Sequence, residues 1–141
     1  MEKDNNLQEN TKIEEAIEQL QKVPSQEMLA HTLTVLRRRM KEDGELIPSV
    51  DQDAGTGSLQ MRLLKTKDGR SWFLAFTSFE EQMKGAASVQ STFLTEMDRL
   101  FDQALTVPEI RGIILNPWNR TIQLDKTLLG ILKPGAGAAG R

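Results

Sequence analysis

Apolar residues recur along this chain at two periods, and the switching between them sets out a mixed series of helices and strands. Ile13, Ala16, Ile17 and Leu20 stand at helical spacing, with Thr11 and Glu14 ahead of them as a capping box and Pro24 as the stop. Ser25 is placed to cap a second helix. Its Met28, Leu29, Thr32, Leu33, Leu36 and Met40 form one apolar stripe predicted to face a sheet, and Gly44 supplies a left-handed residue at its end. Residues 45–50 then read as a short strand and 51–58 as a loop, since Gly55 and Gly57 punctuate a polar stretch. Leu59, Met61 and Leu63 alternate with Gln60 and Arg62, as on a strand with one wetter face, and Lys67-Asp68-Gly69 turns the chain into a further strand at 70–76.

The run Trp72-Phe73-Leu74-Ala75-Phe76 has no polar alternation, which predicts a central strand covered on both faces. Ser78 with Glu81 makes a second capping box, opening a short helix that Gly85 ends. Residues 86–90 are ambiguous between loop and strand. Ser91 is placed to cap a helix in which Phe93, Leu94, Met97, Leu100, Phe101 and Ala104 share one face. Gly112-Ile113-Ile114-Leu115 is a second buried strand ended by Asn116-Pro117, residues 121–124 return after the turn, and Asp125 caps a last helix through Leu132. The order α-α-β-β-β-α-(β)-α-β-β-α predicts an α+β (mixed α/β) domain: a mixed sheet of about five strands with helices packed against it and two helices at the N-terminal end. Polar residues 1–10 read as a disordered start, 11–133 as the domain, and 134–141 as a flexible Gly/Ala-rich tail.

Composition adds mainly exclusions. A chain of 141 residues has the size of one domain, and such a domain buries roughly 70% of its unfolded surface. Its 38% hydrophobic and 27% charged content is ordinary, and a net charge of -2 sets up no field that would select nucleic acid or an anionic membrane. With no cysteine, disulfide scaffolding, thiolate catalysis and cysteine-based zinc sites are excluded. The start lacks the basic and apolar regions of a secretory signal, and the longest apolar run is far short of the roughly 20 residues a membrane helix needs. A cytoplasmic protein is expected.

Most catalytic and metal plans fail on residue supply. His31 is the single histidine, which rules out a multi-histidine site and reads as a partly exposed helix residue. Asp51-Gln52-Asp53 starts like a calcium loop, yet Thr56 stands at its glycine position and Arg62 at its closing glutamate. Gly55-Thr56-Gly57 lacks a third glycine and leads into a strand, so no helix N-terminus would meet a phosphate. Arg37-Arg38-Arg39 with Lys41 complements the end of a helix; Glu42, Asp43 and Glu45 neutralise it, and no aromatics interleave for base stacking. No catalytic set, metal site or cofactor follows, and nucleic acid is not expected.

Two strand exits carry the functional expectation. Thr77 and Ser78 leave one buried strand into a helix start, while Asn116, Trp118, Asn119 and Arg120 leave the other. If the two strands run parallel, both segments share one edge of the sheet, where ligands collect in open α/β sheets. Backbone N–H groups and those side chains would then form a polar crevice suited to a carboxylate or small anion. The competing reading has Ser78 as a mere cap, Asn116 satisfying strand-end backbone, and Trp118 folded over the core.

Read together, Leu74-Ala75-Phe76-Thr77-Ser78-Phe79-Glu80-Glu81, Gly112-Ile113-Ile114-Leu115-Asn116-Pro117 and Thr121-Ile122-Gln123-Leu124 resemble the N-terminal domain of SseB-family proteins. The helical pair and Leu46-Ile47-Pro48 fall where that family has them, so the resemblance spans about 11–132. It implies the fold and a bacterial cytoplasmic setting, in a family named for enhanced serine sensitivity, and it brings no catalytic residues. Some relatives carry a second, C-terminal domain, and functions needing that half lie outside what the resemblance implies here. Three readings stand: a non-enzymatic binding or interaction module with a protein partner, an enzyme or sensor for an amino-acid-like or anionic metabolite at the Thr77/Asn116 edge, and a type III secretion-associated protein. The last wants long amphipathic helices, whereas buried strands dominate the centre of this chain.

Overall fold

The computed structural model describes residues 7, 9–52, 59–84 and 93–133. Their elements run α1 (Thr11–Lys22), α2 (Gln26–Lys41), β1 (Glu45–Pro48), β2 (Val50–Gln52), β3 (Leu59–Met61), β4 (Leu63–Lys65), β5 (Ser71–Phe76), α3 (Phe79–Met83), β6 (Thr95–Glu96), α4 (Met97–Thr106), β7 (Ile110–Leu115), β8 (Ile122–Asp125) and α5 (Lys126–Leu132). The apolar run of β5 is the spine. It pairs in parallel with β7 on one side, while β1 and β4 pair antiparallel with successive parts of its other side. With β6 beyond β1 and β8 beyond β7, this makes a six-stranded mixed sheet in the order β6-β1-β5-β7-β8, β4 lying beside β5. The α+β architecture expected from the hydrophobic pattern is the one observed.

Alternation along β5 divides its side chains between two faces. Phe73 and Ala75 join Ile113, Leu115 and Leu124 in the main core, which Ile13, Ile17, Leu36, Leu100, Phe101 and Leu129 from the helices complete. Trp72 and Leu74 lie with Ile114 in a second cluster, and Phe76 with Leu7 and Ile47 in a third. All five residues from Trp72 to Phe76 are buried, as a strand covered on both faces requires. Gly112 is there for close approach: a Cβ would stand 2.0 Å from the Leu124 carbonyl oxygen.

Several local expectations are corrected. The strand at 45–50 breaks at Ser49, whose N–H donates to Leu74 while its carbonyl accepts from Arg62; β1 stays in the main sheet and β2 turns away to pair with β3. The strand carrying Leu59, Met61 and Leu63 breaks at Arg62, so Leu63 is exposed and Leu64 takes the inward place against Trp72. Asp43, with φ of 60°, is the left-handed residue after α2; Gly44 serves a different need, since a Cβ there would lie 2.8 Å from the Arg39 carbonyl oxygen. The stripe on α2 packs chiefly on α1, with the Thr32 hydroxyl donating to the Ala16 carbonyl. Phe93 and Leu94 precede β6 and are not helical; α4 begins at Met97 behind Glu96, because the backbone ahead of it is used to pair with β1. Ser91, Gly85 and the ambiguous 86–90 lie outside the described residues, as do 53–58 and 134–141. Ahead of Thr11, Leu7 and Asn10 are both buried, so the packed part of the chain begins earlier than the helix.

Three turns form as their residues dictate. Ser25 accepts from the Met28 N–H, Asp125 from the Leu128 N–H, and Gly69 adopts φ of 84° in the turn between β4 and β5. The Asp68 carboxylate accepts from the Thr66 hydroxyl and the Arg70 N–H, and these contacts, the hydroxyl first, hold its pKa below the ordinary 3.8.

Candidate functional site

Because β5 and β7 run parallel, Thr77 and Asn116 leave the sheet side by side on one rim. They bind each other. The Thr77 N–H donates to Asn116 Oδ1 at 2.9 Å, Asn116 Nδ2 donates to Thr77 Oγ1 at 3.0 Å, and the Asn116 N–H continues the ladder onto Ala75. Asn116 has φ of 52°, a left-handed conformation that asparagine tolerates better than most side chains. That kink ends the strand. The loop it starts is fastened by Thr121, whose hydroxyl lies within hydrogen-bond distance of the Asn116 and Asn119 carbonyls.

Four charged side chains, two of them from α1, gather around this pair. Glu14 of α1 is buried; its Oε2 accepts from the Thr77 hydroxyl at 2.6 Å and its Oε1 from Arg120 Nη1 at 3.0 Å. The expected Thr11/Glu14 capping box is thus not formed, since the carboxylate is turned into the rim. Glu81 of α3 is 1% exposed, accepts from Asn119 Nδ2 at 3.0 Å through Oε2, and lies 3.8 Å from Arg120 Nη1. Its other oxygen, Oε1, is buried with no hydrogen-bond partner among the described residues. Ser78 accepts from the Glu81 N–H, so one half of the second capping box exists while the Glu81 side chain is spent on the neighbouring loop. Glu18 adds a third carboxylate, 3.9 Å from Arg120 Nε. The rim therefore holds three carboxylates about one guanidinium, and among the described residues no such group is placed to hold a metal ion.

Asn10 extends the network inward. Its amide nitrogen donates to the carbonyls of Glu45 at 2.7 Å and Thr77 at 3.1 Å, and its oxygen accepts from Arg39 Nε at 3.0 Å. Arg39 is buried and also meets Glu42, which removes it from the basic run that the sequence presents as one surface patch. Asn10, Glu14, Arg39 and Glu81 were not among the expected site residues. Spacing held the signal for two of them: Arg39 falls on the helical face of Thr32 and Leu36, and Glu14 on that of Ile13 and Ile17.

Of the six expected residues, Thr77, Asn116 and Arg120 meet through Glu14, and Asn119 joins through Glu81. Ser78 is a helix cap. Trp118 stands apart from the network, 50% exposed on the same loop, while Phe79 and Met83 are exposed on the helix leaving the same rim. His31 is exposed and lines a shallow groove of about 330 Å³ between α1 and α2 with Lys12, Gln19 and Arg38.

The model of the SseB protein N-terminal domain matches residues 13–129. The chain belongs to the SseB family. The matched span opens one residue before Glu14 and takes in both strand exits, so nearly the whole rim lies inside the SseB domain and only Asn10 falls before it. No curated protein and no solved structure matches the chain. None of the helices in the described residues is long and apolar enough to cross a membrane.

Proposed function

We propose that this SseB domain is a small, non-enzymatic interaction module of the bacterial cytoplasm, and that the rim bearing Thr77, Asn116 and Trp118 is its docking edge. The observation that carries this reading is Trp118, held 50% exposed on a loop whose flanking Asn116 and Asn119 are both fastened by hydrogen bonds. A bulky indole on a fixed loop offers a large contact area with little entropy left to lose, which is how interface hot spots are built. Phe79 and Met83 are likewise exposed on the helix that leaves the same rim. The rival ligand, a carboxylate or other small anion, would meet Glu14 and Glu81, whose charge repels it, and a Thr77 and Asn116 already committed to each other. Helix α3 has only 5 residues, which leaves little macrodipole to offset that repulsion.

Two measurements test the reading. In a thermal-shift screen, amino acids, keto acids and inorganic phosphate are expected to give no saturable stabilisation; a rise that vanishes in Asn119→Ala would favour the metabolite site, and turnover of that compound would make it an enzyme. In selection from a random peptide library, Trp118→Ala is expected to lose the enriched binders while its unfolding free energy stays within about 0.5 kcal/mol of the parent. Collapse of the fold in that variant would make Trp118 a core residue and remove the docking edge.

A further inference from the structure

The charges of the rim do not balance. Glu14 and Glu81 are both buried, Glu18 stands beside them, and among the described residues Arg120 is the single cation paired with all three. Glu14 is fully engaged, with one oxygen on Arg120 and the other on Thr77. Glu81 is not: Oε2 has Asn119, and Oε1 has nothing. A buried carboxylate oxygen without a donor is costly, and the deficit is specifically of a donor carrying positive charge. The loop that meets Glu81 through Asn119 carries the exposed Trp118, and the helix that holds Glu81 carries an exposed carboxylate, Glu80, with no basic residue between Phe79 and Met83.

Resting on the docking edge proposed above, we infer that its partner is a protein segment carrying an arginine or lysine next to an apolar residue. The partner's cation supplies the missing donor to Glu81 Oε1, and the apolar neighbour lies on Trp118. Asn119 is the gate. Its exposed side chain holds Glu81 by a single hydrogen bond to Oε2, so the loop can shift to admit a cation to Oε1, where the contact formed is charge-assisted. Arg120 stays with Glu14, which fixes the spacing between the resident and the incoming cation. Long-range attraction from Glu18 and Glu80 favours the approach of a basic segment and disfavours an acidic one.

The test is to sequence the peptides that the full chain enriches from the random library and to measure representative binders by titration, reading tryptophan fluorescence. Enrichment of Arg or Lys beside an aromatic or aliphatic residue is expected. Those peptides should bind Glu81→Gln roughly thirtyfold more weakly and lose affinity as salt is raised. Glu81→Gln keeps the side-chain shape and removes a poorly satisfied charge, so it is expected to fold, with the thermal melt as the check; should it not, Glu18→Gln with Glu80→Gln must weaken the same peptides. Binders that depend on Trp118 but carry no basic bias, or that bind Glu81→Gln unchanged, would overturn the cation inference and leave the docking edge intact. Enriched peptides indifferent to Trp118→Ala, or no enrichment at all, would overturn both.

Discussion

A single methyl group at Gly112 has nowhere to go. Its Cβ would stand 2.0 Å from the Leu124 carbonyl and 2.8 Å from the Asp125 Cα, both backbone atoms of the paired strand, so β7 and β8 would have to separate. Gly112→Ala is therefore expected to cost about 3 kcal/mol, read as a fall in the urea midpoint at unchanged slope. The Glu14–Arg120 pair is a different case, because Arg120 keeps 31% side-chain exposure and solvent screens part of its field. Arg120→Ala strands the buried Glu14 carboxylate beside buried Glu81, whereas Glu14→Ala leaves a partly solvated guanidinium near Glu81 and a Thr77 hydroxyl that still reaches Asn116 Oδ1, so Arg120→Ala should cost more than Glu14→Ala, on the order of 2 kcal/mol. The double variant should lose less than the sum of the two singles, and a double-mutant cycle with no coupling would show that the pair does not act as one unit.

Among the elements, the β4–β5 hairpin carries the clearest pH signature. Asp68 accepts from Thr66 and Arg70, which lowers its folded-state pKa below 3.8. Its contribution is consequently present above the unfolded value and is lost as pH falls through the folded one. Asp68→Asn should remove that pH dependence without changing the behaviour at neutral pH more than slightly, and the carboxyl carbon shift in an NMR titration gives the midpoint. The capping motifs make a second lesson at this scale. Ser25 and Asp125 cap as spacing predicts, whereas Glu14 and Glu81, which complete capping boxes on paper, are both drawn into the rim. A carboxylate three residues into a helix has two competing uses, and the tertiary neighbours Thr77, Asn119 and Arg120 decided between them.

Across the whole molecule, β5 and β7 are the least replaceable parts: parallel, adjacent, and flanked by helices packed on the main core. Their amides are expected to exchange most slowly with solvent, at the rate of global unfolding, while those of β2 and β3 exchange sooner; the reverse order in a hydrogen-exchange measurement would place the cooperative core elsewhere. The pattern of apolar and polar residues was enough to determine the class of fold, the buried strands and most helices, because burial periodicity is written locally in the chain, while the parallel pairing that brings the two strand exits to one rim came from the tertiary structure. It determined also that Trp118 and Arg120 follow a strand end. What only the tertiary structure decided is which polar groups that rim would gather: Asn10 and Glu14 arrive from the N-terminal region, Arg39 turns inward, and the strands split at Ser49 and Arg62. Those choices depend on hydrogen bonds and charge pairs between residues as many as 106 positions apart. No local period encodes such pairs, since each is favourable only once the sheet has brought its partners to the same edge.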